Sequence, residues 1–188
     1  LAQHFDAARR WVDRVDELNP NHLWLEGRGA DYNDWLNGNW VIAEGWPSEG
    51  GEVPREVFAT GFFAHSTDLV ARMADVLGRK EDAASYRALF EAIRKAFKDE
   101  FVYEDGRIQG DTQAGYALAL DFGLVSPERE QQAITHLLAG LERYGWHCST
   151  GIEATHRLLL ALSRLGRSDV VWRLGTDERF PGWLYRVD

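Results

Sequence analysis

The sequence predicts an all-α domain built from helical hairpins that form part of an α/α toroid. Three observations support this class. After Pro54, apolar residues recur every three or four positions along most of the chain, which is the spacing of one buried helix face. The segments with this spacing come in pairs joined by very short turns, which makes the partners antiparallel neighbours. No 34- or 40-residue repeat is present, so a toroid is favoured over an open array of hairpins.

The first predicted helix runs from Phe5 to Leu18 and is ended by the residues 19–21, Asn-Pro-Asn. Between there and Pro54 the helical spacing disappears, while six glycines and four tryptophans occur. Long ordered loops in compact domains are usually functional, and disordered segments are poor in aromatic residues. The sequence therefore predicts an ordered, functional loop.

Three helical pairs follow this loop. Glycines 78, 123 and 166 stand where helices are expected to end. Thr112 and the run Ser-Pro-Glu at 126–128 are typical of helix starts. Asp105-Gly106 predicts a small hairpin within residues 101–108. The predicted pairs are 55–77 with 81–100, 112–122 with 127–144, and 151–165 with 168–175.

Composition excludes several classes of protein. The chain has 188 residues, enough for one core, and 21 Lys and Arg against 30 Asp and Glu give a net charge of −9. Without a basic cluster we expect no nucleic-acid partner and no membrane partner, and no apolar run approaches the roughly 20 residues of a membrane span. The single Cys148 excludes a disulfide framework, and no metal-ligand spacing occurs. We therefore expect neither a metal nor a cofactor.

Two features need another explanation. The chain begins at Leu1 and carries eight tryptophans. The first leads us to expect an excerpt of a longer multidomain chain, and either the bacterial cytoplasm or a secreted, periplasmic location is compatible with the composition. Trp11 and Trp172 lie on helix faces and are expected in the core. The tryptophans between helices are expected at a ligand-binding end.

The loop segment 31–37 is the first candidate site. It places Asp31 and Asp34 around Tyr32 and Trp35. Sugar rings stack on aromatic side chains and sugar hydroxyls donate to carboxylates, so this pattern predicts a carbohydrate subsite. In the alternative interpretation Trp35 fills the wall of the toroid and Asp34 caps a turn. Both remain open at this point.

Four glutamates flank the Trp46-Pro47 pair, at positions 44, 49, 52 and 56. Glycoside hydrolysis uses two carboxylates, but sequence cannot supply their separation, and most acids of an acidic chain are solvated.

Residues 146–151 form a further candidate site just before a predicted helix. His147 or Thr150 is a candidate ligand contact there, with Ser149 or Thr150 as an ordinary N-cap in the alternative. Cys148 has no activating partner apart from the adjacent His147, so a cysteine nucleophile is not expected.

Several segments together resemble the catalytic domain of bacterial α-L-rhamnosidases of glycoside hydrolase family 78, a six-hairpin (α/α)6 barrel. Their order and spacing extend over nearly the whole chain. The segments are 31–36 (DYNDWL), 58–64 (FATGFFA), 74–86 (ADVLGRKEDAASY), 111–120 (DTQAGYALAL), 147–152 (HCSTGI) and 180–185 (FPGWLY).

The resemblance implies inverting hydrolysis of terminal α-L-rhamnosyl groups without a cofactor. It also implies that residues 1–188 are the middle to late hairpins of the barrel. The general acid would precede them and the general base would follow Asp188, so no catalytic residue is assigned here. The other segments of the same parent chain would then be partners of this piece.

By position in these motifs, the substrate-binding candidates are Asp34, Trp35, His147 and Trp183. Two positions depart from the family pattern: Asn33 stands where the family tends to have glycine, and Gly182 where it usually has serine. Other functions remain open from the residues alone. These are another six-hairpin glycosidase or a polysaccharide lyase, and a non-catalytic helical module that binds sugar or protein.

Overall fold

A computed structural model describes residues 1–29 and 32–185 and confirms the all-α class. Within these residues there are seven α-helices and one short 3-10 helix. The bounds are α1 Ala2–Leu18, α2 Arg55–Val76, α3 Lys80–Phe101, α4 Gln113–Asp121, α5 Pro127–Arg143, α6 Ile152–Arg164 and α7 Ser168–Gly175, with the 3-10 helix at Gly38–Trp40.

The described chain divides into two compact units. Residues 1–29 and 55–101 form the first unit, and residues 32–54 and 102–185 form the second. In the first unit α2 packs on α3 and α1 packs on α2. Its core is apolar because each helix buries one face, with Phe5, Phe63, Ile93 and Phe97 at most 1% exposed.

The second unit is built around α4, whose residues 113–120 are all buried. Helix α4 packs against α5 and α6, and α7 packs against α6. A helix that is apolar on every side belongs at the centre of its unit, and α4 shows this in its sequence, QAGYALALD. The loop at 32–54 belongs to this unit as well, which places the aromatic-rich segment beside α4 and α6.

Most of the predicted helix ends are confirmed. Gly78, Gly123 and Gly166 follow helices with φ values of 71°, 68° and 76°, the left-handed region that glycine adopts without strain. Thr112 caps α4, because its side-chain oxygen accepts a hydrogen bond from the amide of Gly115. The Ser126 side chain, in contrast, makes no capping hydrogen bond.

The predicted hairpin is confirmed only in miniature. Helix α3 continues to Phe101, and one antiparallel bridge joins Val102 to Ile108 around the turn at Gly106. The prediction that two tryptophans lie in the core is wrong, because Trp11 is 53% exposed and Trp172 is 74% exposed. Periodicity assigned both to apolar faces, but neither face is fully covered within the described chain. None of the helices described is long and apolar enough to cross a membrane.

Candidate functional site

A cavity of about 190 Å³ lies in the second unit, before the N-terminus of α6. Drug-sized ligands occupy pockets of roughly 300 to 1,000 Å³, so this cavity suits a group the size of one ring. Its wall combines apolar side chains with two hydroxyls, a thiol and an imidazole. The lining residues are Leu36, Asn37, Gly38, Val41, His147, Cys148, Thr150, Thr155, Leu174, Pro181, Gly182 and Trp183.

His147 is one of the buried polar residues at the cavity, with 9% of its surface exposed. Its Nδ1 atom lies 3.1 Å from the carbonyl oxygen of Tyr144, which can only accept, so Nδ1 carries the hydrogen. Its Nε2 atom lies 3.4 Å from Oδ2 of Asp177 but makes no hydrogen bond within the described residues. Both ring nitrogens therefore face protein groups, and Nε2 itself is buried beside the Asp177 carboxylate.

Asp177 and Arg179 hold the segment that carries the far wall of the cavity. Arg179 donates from Nη2 to Oδ2 of Asp177 over 2.5 Å and from its amide to Oδ1 over 2.9 Å. The Arg179 side chain is the main reason that the pKa of Asp177 is lowered to about 2, with its amide and His147 adding to the effect. Arg179 also reaches the carbonyl oxygen of Gly145 at 3.3 Å, which ties this segment to the residues before His147.

The structure brings two of the four predicted site residues together on this cavity, His147 and Trp183. Trp183 is 52% exposed, so its ring is open to a ligand on one side. Trp35 is 50% exposed and lies beside Tyr32, with 6.1 Å between ring centroids. It does not line the cavity, but the residues that follow it, 36–38, do. Asp31, the other predicted acid of this loop, lies outside the described residues.

Asp34 was predicted to contact a bound sugar, but its carboxylate lies at the N-terminus of α6. Its side chain has no exposed surface. Its Oδ2 atom accepts from the amide of Gly151 at 2.6 Å, and Oδ1 accepts from the amides of Glu153 at 3.1 Å and Ala154 at 3.0 Å. These three bonds, called the Asp34 cap below, satisfy the first turn of α6. The geometry is that of the capping alternative, because the buried Asp34 side chain contacts three backbone amides and does not line the cavity.

The Asp34 cap involves a carboxyl group that is out of contact with water. Burial raises the pKa of Asp34, while the backbone amides of Gly151, Ala154 and Glu153 oppose that rise. The positive end of the α6 dipole lies at the same place and favours a negative charge there.

The two departures from the family pattern have structural explanations. Asn33 has a φ of 54°, a conformation for which glycine is best suited and asparagine is the next most tolerant residue. Its side-chain amide also donates to the carbonyl oxygen of Val53 at 2.6 Å. At Gly182 an added Cβ would lie 2.3 Å from the carbonyl oxygen of Asp177, so this turn leaves no room for a serine without a shift.

Buried Gln113 and glycine-mediated close approaches complete the support of the site. Gln113 of α4 donates to the carbonyl oxygen of His147 at 3.1 Å and accepts from the amide of Ser149 at 2.9 Å. The amide of Gly38 donates to the carbonyl oxygen of Ser149 at 2.7 Å, and a Cβ on Gly38 would lie 2.8 Å from the Ser149 Cβ. The backbones of the two irregular segments, around Gly38 and around Ser149, are therefore in direct contact.

Sequence reasoning missed four lining residues, Gly38, Val41, Thr155 and Leu174. The Asn-Gly-Asn run at 37–39 was the available signal for the first, since it forms a tight turn in which Asn37 accepts from the amide of Asn39. The hydroxyls of Thr155 and Thr150 share a hydrogen bond of 2.7 Å, which no sequence pattern predicts. Leu174 lines the cavity because of tertiary packing, and no local signal predicts its position.

Among the residues that the structure describes, those lining the cavity include no carboxylate. Of the glutamates considered from the sequence, Glu44, Glu49 and Glu52 are exposed. Burial raises the pKa of the Cys148 thiol to about 12, which makes it a poor nucleophile. Across residues 1–29 and 32–185, no three His, Cys, Asp or Glu side chains come close enough together to hold a metal ion.

Comparison with known proteins gives a consistent result. The whole chain, residues 1–188, matches the family model described as the bacterial alpha-L-rhamnosidase 6 hairpin glycosidase domain. An alpha-L-rhamnosidase from Streptomyces avermitilis is 43% identical over 184 residues, which cover 93% of this chain and 17% of that protein. One from Formosa agariphila is 31% identical over 193 residues, covering 100% of this chain and 20% of that protein.

The fold agrees with the same group of proteins. A crystal structure of the Streptomyces avermitilis alpha-L-rhamnosidase complexed with L-rhamnose superposes with a TM-score of 0.84 at 38% identity, covering 98% of this chain and 16% of that one. The chain thus spans between a sixth and a fifth of the length of the relatives it matches.

Proposed function

The chain belongs to the bacterial α-L-rhamnosidase six-hairpin glycosidase domain family, and on this premise we propose that its parent protein hydrolyses terminal α-L-rhamnosyl groups. Residues 1–188 would form middle to late hairpins of the domain and supply part of its sugar-binding surface. The other hairpins of the same parent chain would be the direct partners of this piece.

The chemistry of the cavity supports a sugar as its occupant. A pyranose ring carries apolar C–H faces and polar hydroxyls, and it needs both kinds of wall. Trp183 and Leu174 offer apolar surface, while the side chains of Asn37, Thr150 and Thr155 are polar. The volume of about 190 Å³ suits one ring and not a chain of sugars. Trp35, half exposed beside Tyr32, would bind a neighbouring part of the substrate.

The observation that supports the division of labour is that the cavity-lining residues, within residues 1–29 and 32–185, include no carboxylate. Inverting hydrolysis needs one carboxylic acid to protonate the leaving oxygen and one carboxylate to activate water, about 6.5 to 9.5 Å apart. We therefore assign the general acid and the general base to other parts of the parent chain, and only binding and orientation to this one.

The test uses an aryl α-L-rhamnoside and the parent protein. We expect rhamnose release by the parent and none by residues 1–188 alone. A panel of other aryl glycosides serves as the control for substrate class. Cleavage of a different glycoside in place of the rhamnoside would overturn the substrate assignment, and turnover by residues 1–188 alone would overturn the division of labour.

A further inference from the structure

We propose that Asp34 is a positioning residue that sets the width of the cavity by joining two of its walls. The inference rests on the proposed function for the identity of the ligand, but its geometry can be tested separately. One wall is the segment 36–41 and the other begins at 147 and continues into α6 as far as Thr155. Asp34 lies two residues before the first wall, and within the described chain its carboxylate accepts hydrogen bonds only from amides of the second.

The origin of the cap is the first argument. A helix is ordinarily capped by its own preceding residue, which constrains nothing else in the chain. Here residue 151 is a glycine without a side-chain cap, and the cap comes from Asp34, 117 residues away in the sequence. Moreover, the amide of Ile152 donates to the carbonyl oxygen of Trp35 at 2.9 Å, beside the cap. The contact therefore fixes a distance between two segments as well as satisfying a helix end.

Backbone strain is the second argument. Leu36 lies two residues after Asp34 and has a φ of 60°, which is unfavourable for a bulky side chain. Such a conformation persists only where the surroundings over-determine it, and it is enriched at ligand sites. Leu36 itself lines the cavity. Loss of the Asp34 cap would let Leu36 relax and would move this wall.

The Asp34 carboxylate has no ionic alternative. Its hydrogen-bond donors in the described chain are the three amides, and it forms no ion pair with Lys or Arg there. A charged group that loses its donors in a buried place must find water or move. If the contact between Asp34 and the second wall is lost, no local replacement is available, and we expect the loop 36–41 to move.

The experiment measures two quantities in the parent protein and in the variants Asp34→Ala and Asp34→Asn. The first is the dissociation constant for L-rhamnose by calorimetry, with KM and kcat for an aryl rhamnoside. The second is the rate at which iodoacetamide alkylates Cys148, which lines the cavity and is partly buried. The second readout requires no sugar and no activity.

Thr112→Ala is the matched control, because Thr112 is a buried side-chain cap of α4 in the same unit and does not line the cavity. We expect Asp34→Ala to raise the dissociation constant and KM at least tenfold, with a smaller change in kcat, and to speed alkylation at least tenfold. Asp34→Asn should lie between, since its oxygen can accept from Glu153 or Ala154 while its NH₂ group opposes the amide of Gly151. The control should stay within twofold in every measurement.

Alkylation rates within twofold of wild type in Asp34→Ala and Asp34→Asn would overturn the proposal, as would an equal effect of Thr112→Ala. If Asp34→Ala does not fold, Asp34→Asn decides. If the wild-type parent fails to bind rhamnose, the proposed function falls, while the alkylation rates still decide whether Asp34 sets the cavity.

Discussion

Gly151→Ala should separate the two walls of the cavity by steric overlap alone. The φ of Gly151 is −89° and its ψ is −161°, which alanine also adopts, so backbone strain does not contribute. The added Cβ would lie 2.2 Å from the carbonyl oxygen of Trp35 and 2.5 Å from that of Asp34. Carbon and oxygen approach to about 3.3 Å, so the loop must move by about 1 Å.

That displacement determines the energetic cost. Lengthening the Ile152–Trp35 bond of 2.9 Å and the Gly151–Asp34 bond of 2.6 Å by about 1 Å takes both beyond hydrogen-bond distance. A neutral bond contributes about 1 kcal/mol and one to a charged group about 2 kcal/mol, giving roughly 3 kcal/mol in total. At 1.36 kcal/mol per decade this is about a 150-fold change in local opening.

Hydrogen exchange of a peptide covering residues 148–156 measures this opening without requiring the whole molecule to unfold. We expect its protection to fall by about two orders of magnitude, the 150-fold estimated above. The control is Gly175→Ala at the end of α7, where an added Cβ meets nothing within 4 Å. Protection of the 148–156 peptide in Gly151→Ala within threefold of wild type would refute the reasoning.

Three further predictions use other parts of the site. Trp35→Ala should weaken binding of the rhamnoside by about tenfold without lowering the thermal midpoint by more than about 2 °C, because the ring is half exposed; unchanged binding would remove Trp35 from the site. Asp177→Asn should lower the thermal midpoint at pH 7. The pKa of Asp177 is about 2 in the folded protein, which is below its unfolded value near 4. The contribution of ionised Asp177 to the stability of the fold is therefore complete above about pH 4 and is lost as the pH falls towards 2. The midpoint difference should therefore shrink from pH 7 to pH 3, and a constant difference would contradict the assignment. Cys148, with a pKa of about 12, should react with iodoacetamide at pH 8 on the order of a thousandfold more slowly than in the urea-unfolded protein, and rates within tenfold of each other would disprove its burial.

Local sequence signals predicted the helices well because they act over short distances. Thr112 caps α4 from the adjacent residue, and Gly123 ends it with a positive φ. The same reasoning gave the bounds of α7, Ser168–Gly175, without error. Burial was harder, because Trp11 and Trp172 lie on apolar helix faces that the described chain leaves partly uncovered.

The candidate site shows where such signals end. His147 and Trp183 were recognised by motif, but their meeting on one cavity depends on the turn at 177–185, which is held by the Asp177–Arg179 pair. Trp35 was placed on an exposed loop and is exposed. Its neighbour Asp34 has the same local signal, an acid beside a tryptophan, but its side chain is buried against the N-terminus of α6.

The all-α class, the helical pairs and the aromatic-rich loop follow from the sequence alone, because periodicity, caps and glycine ends are encoded within a few residues. The sequence does not reveal that Asp34 caps α6 from 117 residues away, or that Gly38 and Gly151 permit backbone contact with the opposite segment. A buried carboxylate takes its donors wherever the fold brings amides to it, and sequence neighbours do not specify which amides those are.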